Sequence, residues 1–152
     1  MPTRLNYYPS MQPGLMYHVY NRGNNRETLF FTTENYRHFL EQFELFLCDY
    51  VDLHAFCLLP DHFHLLVRVK QENEVRAFVK PEIKRQTGWL TRLVSKQFQR
   101  FFQGYAQAIN RQEGRVGSLF QKNFKRRPIT SDAYLTRVIY YLHLNPVKHR
   151  VW

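Results

Sequence analysis

Short apolar and aromatic runs, bounded by turn-forming residues, predict the β-strands of this chain. These strands are predicted at residues 15–20, 51–59 and 62–69. Only Pro60 and Asp61 separate the second strand from the third, so the two should form an antiparallel hairpin. A further strand or hairpin is predicted at residues 118–129, where the alternation of apolar and polar positions is less regular.

Apolar residues at three- and four-residue steps predict three amphipathic helices. Thr32 or Thr33 can cap the first, and the longest covers residues 90–109. The last begins after Ser131, which can cap it. Between strands and helices, residues 70–86 are charged and include a proline, so we expect a mobile crossing there.

Two histidines, His62 and His64, are one residue apart within the third predicted strand. Successive side chains of a strand point to opposite faces, so both imidazoles lie on one face while Phe63 and Leu65 lie on the other. The pair could be two unrelated histidines on a sheet surface. It could also be half of a metal site, which would need a third protein ligand.

Tyr141 and Asn145 are four residues apart on the last predicted helix, which should end near Asn145 because Pro146 follows it. Both lie on the shoulder of its apolar stripe, so they can point at whatever the helix packs against. If the helix covers the face with the histidines, Asn145 supplies an amide oxygen as third ligand and Tyr141 a phenol beside the metal. Imidazole and amide ligands suit Mg²⁺ or Mn²⁺. The alternative is that Tyr141 is an interface aromatic and Asn145 only the end of the helix.

Such an assembly could carry out phosphoryl transfer. A divalent ion would polarise a phosphodiester while the tyrosine hydroxylate attacks phosphorus, which gives a covalent phosphotyrosine.

Charge is distributed unevenly along the chain, whose formal net charge is +10. Up to residue 75 there are six basic and nine acidic residues, and from residue 76 there are sixteen basic and three acidic ones. This asymmetry favours a polyanionic partner, nucleic acid before an anionic membrane, although a basic face can also serve solubility alone. The candidate nucleic-acid contacts are Arg92, Lys96 and Arg100 on the long helix and Lys122, Lys125, Arg126 and Arg127 among aromatic residues.

The length of 152 residues allows one good hydrophobic core. We expect an irregular N-terminal arm at residues 1–14 and one domain at residues 15–152. Neither an apolar run long enough to span a membrane nor an apolar signal core is found, so a cytoplasmic, nucleoid-associated protein is expected. Cys48 and Cys57 lie in apolar runs, which fits reduced thiols.

Four motifs resemble those of the single-tyrosine transposases of the REP-associated type, a branch of the HUH superfamily. Leu-Pro-Asp-His62-Phe-His64-Leu-Leu resembles the HUH motif, and Tyr141-Leu-His-Leu-Asn145-Pro-Val resembles the family's Tyr-x-x-x-Asn-Pro-Val segment. The segments that begin Tyr17-His-Val-Tyr-Asn-Arg-Gly and Gly117-Ser-Leu-Phe-Gln also match, so the resemblance covers roughly residues 15–150.

This resemblance implies an α/β (α+β) domain with a ferredoxin-like or RRM-like antiparallel sheet, usually a homodimer, that cleaves and rejoins single-stranded DNA near hairpins. It implies His62, His64 and Asn145 as metal ligands and Tyr141 as nucleophile. Tyr140, next to Tyr141, is the alternative if the register shifts by one residue. Two other functions stay open: a non-catalytic module that binds structured single-stranded DNA or RNA, and a replication-initiator or relaxase-type nickase.

Overall fold

Four strands form one antiparallel sheet in the computed structural model, which describes the backbone of residues 6–148 and the side chains of residues 6–144. The strands are β1 (Met16–Arg22), β2 (Val51–Leu59), β3 (His62–Val69) and β4 (Lys125–Pro128). Their order across the sheet is β2-β3-β1-β4. The predicted bounds of β2 and β3 are confirmed, whereas β1 continues to Arg22 and β4 is much shorter than the predicted segment.

Five α-helices accompany the sheet within the described residues. They are α1 (Thr33–Leu47), α2 (Glu72–Val75), α3 (Pro81–Lys84), α4 (Trp89–Glu113) and α5 (Asp132–Lys148). Thr32 caps α1 by accepting a hydrogen bond from the Asn35 amide, while the Asn35 side chain accepts one from the Thr32 amide. The backbone of α5 continues through Pro146 to Lys148, beyond the predicted end. Proline has a helix-compatible φ, so the backbone can remain helical beyond it.

Two different layers cover the two faces of the sheet. Tyr17 and Val19 of β1 and Phe63 and Leu65 of β3 are buried against α1 and α4 in the main core. The alternate residues of β1 and β3 therefore point to the opposite face. This alternation separates a packing face from a face that is available for chemistry.

The opposite face is covered only in part, by α5. Val138 and Leu142 of this helix pack with Cys57, Leu59 and Leu66 in a small second cluster. Those three sheet residues belong to β2 and β3, so α5 lies over that half of the sheet and leaves the half formed by β1 and β4 open. Burial in this cluster raises the pKa of the Cys57 thiol to about 11.

The prediction of a mobile crossing at residues 70–86 is wrong. This segment contains α2 and α3 and contributes residues to the core. Val75 is fully buried and Val79 nearly so. Periodicity could not reveal this, because each helix is only four residues long.

The predicted α/β fold class is confirmed. The succession β1-α1-β2-β3-α4-β4 with strand order β2-β3-β1-β4 is the ferredoxin-like arrangement, to which α5 adds a helix on the other face. Over the described part of the chain, the helices are too short or too polar to cross a membrane.

Tyr105, at the centre of α4, generates a prediction about stability. Its hydroxyl is buried and donates a 2.7 Å hydrogen bond to the Leu29 carbonyl, and burial raises the pKa of the phenol. Tyr105→Phe should lower the free energy of unfolding by about 1–3 kcal/mol, because the Leu29 carbonyl loses its partner. Urea denaturation measures this, with the exposed Tyr140→Phe as control, expected within about 0.5 kcal/mol of wild type. Equal midpoints for both variants would contradict the assignment.

Candidate active site

The hairpin turn before His62 is held in place by backbone hydrogen bonds from the loop that follows β1. The Gly23 amide donates to the Asp61 carbonyl at 2.9 Å, and the Leu29 and Phe30 amides donate to the Pro60 carbonyl at 2.7 and 3.1 Å. Gly23 is required by the fold of this loop, since a Cβ there would lie 1.9 Å from the carbonyl oxygen of Glu27, a later residue of the same loop. The start of β3 is therefore fixed relative to β1.

His62 and His64 lie together on the face of β3 opposite the main core, with ring centroids 5.4 Å apart and ring planes nearly perpendicular. His62 Nδ1 is 2.7 Å from Asp61 Oδ1. Burial raises the pKa of the Asp61 carboxyl, but the hydrogen bond and charge of His62, a backbone hydrogen bond and the charge of Arg22 together lower it by more, so the net pKa is below its ordinary value. Asp61 is thus an ionised acceptor that orients the His62 ring at neutral pH.

His64 has a corresponding neighbour in His18 of β1, whose Nε2 is 2.9 Å from His64 Nδ1. The two residues are diagonal neighbours across the antiparallel pair, where Tyr20 stands opposite His64. His18 stacks on Tyr20 with centroids 4.7 Å apart. Burial, together with the charge of Arg127, lowers the pKa of His18 to about 4, so this imidazole is neutral at pH 7.

His18 was not among the residues selected from the sequence. The alternation of side chains along β1 could have identified it, because that alternation places His18 and Tyr20 on the face opposite the buried Tyr17 and Val19. Its proximity to His64 depends on the pairing of β1 with β3, which the sequence did not specify.

Tyr141 reaches this group from α5. Its ring meets that of His64 edge to face, with centroids 5.2 Å apart and an interplanar angle of 88°. The side chain is 43% exposed, whereas that of Tyr140 is 67% exposed and Tyr105 is buried in the core on the other face. A single chain therefore brings Tyr141 beside the two histidines.

Two imidazoles with oriented Nδ1 atoms fit a divalent metal site. Metal-binding histidines characteristically hold one ring nitrogen in a hydrogen bond and use the other for the metal. Within the described residues, no group of three His, Cys, Asp or Glu side chains is placed to bind a metal. A third ligand would have to be of another type, such as the predicted amide of Asn145, whose side chain lies outside the described residues.

Two pockets meet at Tyr141. The histidine pocket, of about 500 Å³, is lined by Tyr20, Arg22, His62, His64, Lys125 and Tyr141, among others. The arginine pocket, of about 650 Å³, is lined by His18, Arg127, Ser131, Tyr134, Arg137 and Tyr141, among others. Together they form a groove whose floor is β1 and whose two walls are β4 and α5.

The predicted basic residues of the β4 region differ in their positions. Lys125 and Arg127 stand opposite Tyr20 and His18 in the β1–β4 pairing and line the groove, while Lys122 is exposed in the preceding loop. Arg126 points the other way and donates hydrogen bonds to the Pro9 and Tyr8 carbonyls at 2.9 and 3.4 Å. Its guanidinium therefore holds the N-terminal arm.

The basic stripe of α4 is not part of the groove. Arg92, Lys96 and Arg100 are exposed on a helix that packs against the face of the sheet opposite the histidines. The sequence pattern identified the stripe but not the face that carries it. A contact of these residues with nucleic acid stays a prediction, separate from the candidate active site.

Comparison with known proteins gives a family match over most of the chain. The profile of the family described as "Transposase IS200 like" matches residues 11–144. A curated protein of Haemophilus influenzae, named "Putative REP-associated tyrosine transposase", is 33% identical over 95 residues, which are 62% of this chain and 49% of the relative. The chain thus spans about half the length of this relative.

A solved structure supports the fold. It is described as a REP-associated tyrosine transposase bound to a REP hairpin, and the similarity has a TM-score of 0.58 over 98% of this chain and 74% of that chain. The sequence identity is 19%, so the similarity concerns the arrangement of helices and strands.

The two adjacent arginines of β4 allow a test of their different roles. Arg126→Met should increase amide hydrogen exchange in residues 7–12 several-fold to about tenfold, because charge-assisted hydrogen bonds to the arm are lost. Arg127→Met, on the other face of the same strand, should leave that exchange unchanged. Mass spectrometry of peptic peptides measures both, and equal exchange in the two variants would show that Arg126 does not hold the arm.

Proposed function

The chain belongs to the IS200-like transposase family, and we propose that it is a single-stranded DNA transesterase that cleaves and rejoins DNA through Tyr141. The observation that carries the proposal is the contact of Tyr141 with His64 on the open face of the sheet, at the junction of the two pockets. A solvent-accessible phenol next to paired imidazoles and basic side chains suits attack on a phosphodiester.

His62 and His64 would hold a divalent ion, Mg²⁺ or Mn²⁺, with the amide of Asn145 as the proposed third ligand. Such an ion, when bound, polarises the scissile phosphate and offsets its developing negative charge. Asp61 orients the His62 ring through its 2.7 Å contact with Nδ1. Lys125, in the same pocket, adds positive charge near the phosphate.

The reaction that we propose is an exchange of phosphodiester bonds. Tyr141 Oη loses its proton and forms a bond to phosphorus, while the bond from phosphorus to the 3′ oxygen breaks and that oxygen takes up a proton. The products are a 5′-phosphotyrosine and a free 3′-hydroxyl. Attack of a 3′-hydroxyl on the phosphotyrosine reverses these steps and joins two strands without an external energy source.

The groove provides a path for a flexible strand across the reacting centre. Tyr20 and Tyr134 offer ring surface, and Arg127 and Arg137 lie 5.2 and 5.9 Å from the Tyr134 ring centroid. Neither arginine forms an ion pair with an acidic residue in the described part of the chain. Basic side chains next to aromatic rings favour binding of single-stranded nucleic acid, because the cations attract its phosphates and the rings can stack on its bases.

We further propose that the substrate carries a hairpin. Support comes from the solved relative described as bound to a REP hairpin and from the REP-associated curated relative. The predicted homodimer is not required for the encounter of Tyr141 with His64, which takes place within one chain.

The nucleophile can be tested with labelled, hairpin-flanked single-stranded DNA and Mn²⁺. Wild type should form a covalent adduct that resists denaturing electrophoresis. Tyr141→Phe should abolish it, because Tyr141 is the phenol that meets His64 from α5, whereas Tyr140→Phe should retain it. DNA binding, measured separately by fluorescence anisotropy, should persist in Tyr141→Phe.

Binding without an adduct by wild type, across varied hairpins and both metals, would support the non-catalytic module instead. Loss of the adduct in Tyr140→Phe alone would move the nucleophile by one residue.

Orientation of His62 by Asp61 predicts an effect on metal affinity. Asp61→Asn should weaken Mn²⁺ binding by roughly 10–100-fold, because the ring loses its ionised acceptor. Asp52→Asn is a matched control, since Asp52 forms an ion pair with Arg68, not with either histidine of the site. Electron paramagnetic resonance of free Mn²⁺ gives both affinities, and equal values would exclude a role of Asp61 in metal binding.

A further inference from the structure

His18 is a half-buried histidine of the groove floor that the cleavage reaction itself does not use. We propose that His18 is a positioning residue that holds His64 in the tautomer with its proton on Nδ1, which directs the Nε2 lone pair towards a metal. This inference rests on the proposed function, because it assigns His18 a purpose in building the metal site.

The contact between the two imidazoles allows two positions for the proton that they share in a hydrogen bond. His18 Nε2 and His64 Nδ1 are 2.9 Å apart, which is a hydrogen-bond distance. Between two neutral imidazoles, one nitrogen must carry the proton and the other must accept it. Either His64 Nδ1 donates to His18 Nε2, or His18 Nε2 donates to His64 Nδ1.

Metal binding is compatible with only one of these arrangements. An ion cannot reach His64 Nδ1 without displacing His18, so coordination has to use Nε2. A neutral His64 that binds through Nε2 carries its proton on Nδ1. His18 must therefore accept through Nε2, with its own proton on Nδ1.

The surroundings of His18 hold its ring in place beside His64. Its ring stacks on Tyr20 with centroids 4.7 Å apart, and it is nearly parallel to that of His64, at 5.1 Å and 25°. The backbone of β1 is paired on both sides, with β3 and with β4, so the Cα position of His18 is also fixed. A packed ring on a central strand can orient its neighbour with little freedom of its own.

The two histidines of the pair thus have different acceptors. His62, at the exposed end of the hairpin, faces the Asp61 carboxylate. His64 is only 8% exposed and faces the imidazole of His18. An imidazole can accept the hydrogen bond there without bringing a carboxylate into the sheet interface.

The tautomer can be observed in the metal-free protein by long-range ¹H–¹⁵N correlation NMR. Spectra are recorded near pH 8, above the ordinary histidine pKa of about 6.5. In wild type, His64 should carry its proton on Nδ1. In His18→Ala, the Nε2–H form of His64 should become substantially populated. In His18→Gln, an amide oxygen can accept in place of the imidazole, so the Nδ1–H form should be regained.

Metal affinity gives a second readout that does not depend on cleavage. His18→Ala should weaken Mn²⁺ binding by roughly 10–100-fold, as loss of an outer hydrogen-bond partner does, and His18→Gln should regain most of that loss. His54→Ala is the control, since His54 is an exposed histidine of β2 and should leave the affinity unchanged.

These measurements separate the two proposals. Absence of a DNA adduct in wild type would overturn the cleavage function and leave the tautomer result standing. A wild-type His64 with its proton on Nε2 would overturn the role of His18, even if a variant failed to fold. Unchanged Mn²⁺ affinity in a folded His18→Ala protein would overturn it as well.

Discussion

Apolar contact between α5 and one half of the sheet is the interaction on which the candidate site depends. Val138 and Leu142 pack against Leu66 and its neighbours in a cluster far smaller than the main core. Burial of such side chains contributes on the order of 2 kcal/mol each, enough to fix the orientation of the helix. Tyr141, adjacent to Leu142 on the same helix, is thereby held beside His64.

Because α5 covers only part of the sheet face that carries His62 and His64, this face can form a candidate active site. A helix over β2 and β3 leaves β1 and β4 uncovered, and their outward side chains become the floor and one wall of a groove. Because the other face is sealed by α1 and α4, the aromatic and basic side chains of the groove are not needed for the main core. One face of the sheet therefore forms the main core, and the other face provides the groove.

The sequence predicted structure well where a few neighbouring residues, such as a turn or a helix cap, set the bounds of an element. The hairpin bounds followed from the two turn residues Pro60 and Asp61, and the start of α1 from its Thr32 cap. Segments with weak local signals were less predictable. Residues 70–86 form short helices that depend on tertiary packing. The predicted strand at 118–129 is reduced to β4, the four residues that pair with Tyr17–Tyr20 of β1. Such segments take their structure from distant partners.

Two features of the candidate site could be read from the chain alone: strand alternation places His62 and His64 on one face, and helical spacing places Tyr141 on the shoulder of an apolar stripe. Both are properties of a single element, set by backbone geometry. Long-range contacts were needed to establish that His18 contacts His64 and that Arg126 holds the N-terminal arm while Arg127 faces the groove. They also place the basic stripe of α4 on the far side of the sheet. Those facts depend on which strands pair and which face each helix covers, and such long-range choices leave no periodic trace in the chain.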